Sequence, residues 1–153
     1  MRRFNLYRAE LDNESQRPGF RWRRVRVGEA IGAEQIGASL YELPPGERTF
    51  PYHFHYGVEE WLLVLSGRPT VRSPDGDREL RPGDAVCFPR GPDGAHLVRN
   101  DSDQPVRVLM LSTLRTPSIS MYPDSDKIGA RPGVPDDTLN FLRGDAVDYW
   151  EGE

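Results

Sequence analysis

The sequence predicts an all-β protein, an antiparallel sandwich or barrel, and three observations predict it. Apolar and aromatic residues come in short runs rather than in long helical stripes. Fifteen Gly and 14 Pro are scattered through the 153 residues without a fixed period, so many short elements must be joined by tight turns. A strong hairpin signal, Pro74-Asp75-Gly76-Asp77, joins two strand-like stretches near the middle of the chain.

Taken in order, the first 20 residues are polar and irregular and read as an N-terminal arm. Arg17-Pro18-Gly19 then precedes a strand-like run from Phe20 to Val27, whose alternating arginines suit a solvent-facing edge strand. A second run covers Gln35 to Leu43 and stops at Pro44-Pro45-Gly46. Phe50 to Tyr56 is aromatic and extended, and Trp61 to Leu65 is a continuous apolar run suited to a strand buried on both faces. The hairpin joins Thr70–Arg72 to Arg78–Leu80, and further short strands are predicted at Ala85–Phe88, Ala95–Arg99 and Val106–Leu111. Beyond Thr113, with Pro117, Pro123, Pro132 and Pro135, periodicity fades. Only Asp136–Leu142 reads as a helical turn, and Tyr149 and Trp150 are expected to anchor the tail on the body. Residues 1–34 are thus expected to form the arm, 35–113 a barrel core and 114–153 an irregular C-terminal extension packed on it.

Composition narrows the function classes. One domain's length holds 37% hydrophobic and 29% charged residues. No stretch approaches the 20 or so apolar residues that span a bilayer, and the basic start is followed by no apolar core of a leader. A cytoplasmic protein with no membrane partner is therefore expected. A net charge of −4 supplies no global positive field for nucleic acid. The single cysteine, Cys87, has no partner for an internal disulfide and is expected to be a small buried hydrophobe.

Three histidines concentrate the chemistry. His53 and His55 stand two apart in an extended run, where side chains alternate faces, so both imidazoles point the same way from backbones about 6.5–7 Å apart. Glu59 and Glu60 follow the turn-like Tyr56-Gly57, and His96 comes from a separate strand. Three imidazoles and one carboxylate make a nitrogen and oxygen donor set suited to Fe(II), Mn(II), Ni(II), Co(II) or Zn(II). Imidazoles bind only when neutral, so metal affinity should fall as pH drops through about 6.5.

The spacing of these residues resembles the cupin superfamily, the small double-stranded β-helix or jelly-roll barrels. Its first motif is matched by Gly46, His53, His55, Glu60 and Gly67, with one extra residue between Gly46 and His53. Its second is matched by Gly83, Pro89, Gly91, His96 and Asn100, with four residues rather than two between Gly91 and His96. The resemblance implies that Glu60, not Glu59, joins His53, His55 and His96 as a ligand of one divalent transition metal ion, and that Asn100 is a turn residue. Residues sharing that strand phase, Leu62, Val64 and Val98, are expected to line an apolar pocket beside the ion. The stretch Met121–Lys127 is similar to the tails of small bacterial single-domain cupins. A homodimer paired through its sheets and a small-molecule substrate or ligand are also implied.

For the reaction, the resemblance implies dioxygenase-like oxidoreduction as first choice. The alternatives are a non-catalytic barrel that binds or senses a small ligand, or a sugar isomerase or epimerase. No arginine cluster is evident for a phosphate in the expected pocket, which lowers the sugar-phosphate option.

Overall fold

The computed structural model describes residues 1–134 and 136–153; Pro135 lies outside them. Thirteen strands are formed among the described residues: β1 (Asn13–Ser15), β2 (Trp22–Val25), β3 (Ile36–Leu43), β4 (Phe54–Tyr56), β5 (Glu60–Ser66), β6 (Thr70–Ser73), β7 (Gly76–Glu79), β8 (Ala85–Phe88), β9 (Leu97–Arg99), β10 (Val106–Thr113), β11 (Ser118–Tyr122), β12 (Lys127–Arg131) and β13 (Leu139–Leu142). The one α-helix among the described residues, α1 (Val27–Ile31), is five residues long and closes on Gly32 in the left-handed conformation. Its pattern is too short for periodicity to reveal, so Val27, expected to end a strand, begins the helix instead. Among the described residues, no helix is long and apolar enough to cross a membrane.

All strand pairings among the described residues are antiparallel. One layer is a six-stranded sheet ordered β1-β2-β3-β10-β5-β8. The other combines β13-β12-β11-β4 with β7-β6-β9, and a bridge between His53 and His96 joins the two pieces. This is the expected all-β jelly-roll. Between the layers lies the main core of Tyr41, Leu43, Leu62, Val64, Phe88, Val98, Val106, Val108 and Met110, with Val71 and Leu80. Period-2 alternation turns Leu40 and Leu109 to the opposite face, where Leu11, Val25 and Val27 cover them. The arm is therefore the lid of a second apolar layer. It is pinned by Arg21, which donates through its backbone N and its Nε to the buried Glu47 carboxylate at 2.9 and 2.7 Å.

Several expectations need correcting. The extension is not irregular, because β11 and β12 form a hairpin that pairs onto β4 and β13 adds an edge. The stretch Asp136–Leu142 forms no helical turn: its last four residues are strand β13, opposite β12. Tyr149 and Trp150 anchor nothing, being 83% and 73% exposed and packed edge-on against each other. Trp61 is half exposed, so β5 is not covered along all of both faces. Cys87, on the outward phase of β8 opposite Trp61, is exposed rather than buried.

Candidate metal centre

Each of the four candidate residues is delivered by a different local constraint. His53 and His96 exchange backbone hydrogen bonds, N–H to O at 3.1 and 2.8 Å, which sets their rings side by side with centroids 4.6 Å apart. His55 lies in β4 directly across from Ser120 of β11. Glu60 opens β5, opposite Phe88 of β8 on one side and Ser112 of β10 on the other. The longer turn between Gly91 and His96 is absorbed by a 3-10 turn over Pro92–Gly94. Gly94 is required there, since a Cβ would sit 1.7 Å from the Pro89 carbonyl oxygen.

The four side chains meet. Glu60 Oε2 stands 3.1 Å from His55 Nε2, 3.3 Å from His96 Nε2 and 3.9 Å from His53 Nε2. One donor atom each from His53, Glu60 and His96 lies within 4.8 Å of the others. The opposite ring nitrogens are engaged: His53 Nδ1 with the Pro51 carbonyl at 2.8 Å, His96 Nδ1 with the Gly94 carbonyl at 2.9 Å, and His55 Nδ1 with Ser120 Oγ at 2.9 Å. A carbonyl only accepts, so His53 and His96 must carry their proton on Nδ1, which leaves Nε2 as a bare lone pair when the ring is neutral. Phe88 stacks on His96 at 3.8 Å with 8° between the planes, and Tyr122 lies nearly parallel to His53 at 5.9 Å.

Electrostatics agree with this arrangement. Burial, then the His96 and His55 rings, push the His53 pKa down to about 3, so it is neutral near pH 7. Burial raises the Glu60 carboxyl, but the His55 and His96 rings beside it outweigh that and hold it below the usual carboxylate range.

Whether a metal fits can be judged from unmet hydrogen bonding. His55 Nε2, Glu60 Oε2 and His96 Nε2 are buried and lack a hydrogen-bond partner, their mutual approach notwithstanding. Buried polar atoms rarely go unpartnered. His53, Glu60 and His96 form a group that could hold a metal ion; His55 Nε2 stands 3.1 Å from Glu60 Oε2, and this donor set suits a divalent transition metal.

Two cavities reach this centre. Tyr41, Phe50, Met110 and Glu60 line one, with Arg24 and Arg26. His55, Glu60, Ser112 and Thr113 line the other, with Arg115 and Arg131. Leu62, Val64 and Val98, expected along a pocket wall, are instead 0%, 1% and 0% exposed inside the closed core. Where no arginine cluster was expected for a phosphate, two arginines line each of these cavities. Glu59 faces away and accepts from Trp61 Nε1 at 3.1 Å. Asn100 is a turn residue: its Nδ2 donates to the Leu43 and Gln104 carbonyls, and its Oδ1 accepts from Ser102. Sequence reasoning missed Ser120, Tyr122 and Arg131, all from the extension.

Comparison with known proteins agrees with the fold. Residues 39–112 match the family model described as a cupin domain, and with the structural relatives this supports a small cupin domain in this chain. A protein from Acidithiobacillus ferrooxidans assigned as a sugar phosphate isomerase superposes with a TM-score of 0.83 at 25% identity, covering 93% of this chain and 90% of that one. A cupin-superfamily sugar phosphate isomerase from Silicibacter pomeroyi gives 0.81 at 25% identity, with 94% of each chain covered. A bifunctional lysine-specific demethylase and histidyl-hydroxylase from Branchiostoma floridae is 32% identical over 73 residues, 46% of this chain. The matched segment spans only 12% of that relative's length.

Proposed function

We propose that this protein is a metal-dependent sugar isomerase or epimerase, its ion held by His53, His55, Glu60 and His96. The observation that carries this reading is the extent of the likeness to the two proteins assigned as sugar phosphate isomerases. Coverage of 93% leaves fewer residues unmatched than residues 114–153 contain, so the likeness extends beyond the barrel core into that extension. A bound divalent ion supplies Lewis-acid polarisation of a substrate carbonyl or hydroxyl oxygen. The protein's own groups do the rest. The Pro51 and Gly94 carbonyls fix the rotation of His53 and His96, and Phe88 covers the His96 ring so that this side of the centre stays dry. Glu29, the other carboxylate lining the first cavity, is tied to Arg26 at 2.6 Å. The Tyr41 hydroxyl accepts from Arg24 Nη1 at 3.1 Å, and both residues line that cavity.

The test is interconversion of aldoses, ketoses and their phosphates in D₂O by the Mn(II)- or Co(II)-loaded protein, followed by NMR. Isomer formation that stops on chelation and in His55→Ala supports the reading. Full metal binding with no interconversion of any sugar would overturn it. The dioxygenase reaction has the hydroxylase relative as its support, across a small part of that relative. Dioxygen uptake by the Fe(II)-loaded protein with no sugar turnover would favour it instead.

A further inference from the structure

We propose that Arg131 is an oxyanion subsite beside the metal centre and takes the phosphate group of a phosphorylated substrate; this rests on the isomerase reading and names its substrate class. Arg131 ends β12, half buried, and lines the same cavity as His55 and Glu60. Its Nη1 donates to Ser120 Oγ and its Nη2 to the Tyr122 hydroxyl at 3.3 Å. Both partners are neutral. The structure pairs Arg21, Arg26, Arg68, Arg72, Arg99 and Arg107 with carboxylates, whereas among the described residues no carboxylate lies within ion-pair distance of Arg131.

A half-buried cation without a counter-charge is costly unless an anion arrives to meet it. The guanidinium carries five N–H donors, and the two hydroxyls occupy two of them. The remaining fork matches two oxygens of a phosphate. Arg115 lines the same cavity and adds a second positive charge against the carboxylates of Glu34 and Glu60, while Ser112 and Thr113 add hydroxyl donors. A phosphate held here leaves the sugar carbons within the cavity that Glu60 and His55 also line, so one small molecule can engage both ends.

The experiment titrates inorganic phosphate into the metal-loaded full chain by calorimetry, and follows ³¹P relaxation with Mn(II) bound. Acetate and a neutral sugar serve as parallel probes. We expect one phosphate per chain, weakened about tenfold or more in Arg131→Gln, with metal content unchanged. Arg131→Lys, which keeps the charge but loses the fork, should fall between the two and provides the readout should Arg131→Gln fail to fold. No phosphate binding to the wild type, equal binding in Arg131→Gln, or metal lost in step with phosphate would overturn the subsite. A response to acetate equal to that for phosphate would overturn its assignment to phosphate. Phosphate binding that depends on Arg131, in a protein that isomerises no sugar, sinks the isomerase reading and leaves the subsite standing. Turnover with an unchanged KM for phosphorylated sugars in Arg131→Gln does the reverse.

Discussion

Ser120 and His55 face each other across β4 and β11, and the Ser120 hydroxyl oxygen stands 2.9 Å from His55 Nδ1. For Nε2 to bind a metal, the proton must sit on Nδ1, so Ser120 has to accept. Removing the hydroxyl frees the ring to rotate and to adopt the wrong tautomer. We expect Ser120→Ala to lower metal affinity about 10–100-fold, the range found for partners of metal-bound histidines, with little change in the melting temperature of the metal-free protein. A competition titration with a chelating dye measures this, and unchanged affinity would show that Ser120 does not orient the ring.

The adjacent carboxylates should behave differently. Glu60→Ala removes the oxygen on which three histidines converge, whereas Glu59→Ala removes only a hydrogen bond to Trp61 on the other face. Elemental analysis of protein purified from metal-supplemented culture should show near-complete loss for the first and full occupancy for the second. Equal losses would contradict the assignment.

Acid should destabilise the metal-free protein. Folding lowers the His53 pKa from 6.5 to about 3, so between those values the unfolded chain binds the extra proton and acid favours unfolding. Glu60, held below its ordinary 4.5, adds stability that is complete above about that pH and is lost as pH falls further. We expect the melting temperature in a chelator to fall from pH 6.5 downward, His53 contributing no more than about 1.4 kcal/mol per pH unit. His53→Gln should flatten the curve between about pH 6.5 and 4.5. A flat wild-type curve over that window would refute the claim.

Asn100 is a structural counterpart of the site residues. It is fully buried and ties the ends of β3 and β9 to the loop at Gln104. Asn100→Ala removes the side-chain donor to the buried Leu43 carbonyl, costing about 1–3 kcal/mol if it goes unpaired, while the Gln104 carbonyl keeps Ser102 Oγ at 3.0 Å. We expect a clear drop in denaturant midpoint with metal stoichiometry unchanged.

Much of this molecule was readable before its structure. Alternation in extended chain places His53 and His55 on one face, and the motif glycines and prolines mark the turns that bring His96 Nε2 to 3.3 Å from Glu60 Oε2. The extension was not readable, for a physical reason visible in β11. There Ser118 and Ser120 point inward and Ile119 is exposed, the inverse of the usual alternation, because that inward face serves the site rather than the core. A test that seeks apolar residues inside sees no strand. Arg131 was hidden for the same reason: its neighbours Pro132 and Gly133 read as loop, and nothing local reveals that β12 ends beside His55.

The hairpin of residues 118–131 forms the wall facing His55, while His53, Glu60 and His96 are set by the earlier part of the chain. Anyone wishing to retarget this pocket therefore has a handle outside the motif segments. Swapping that one appended panel would rewrite what the pocket grips while leaving intact the segments that carry those three donors.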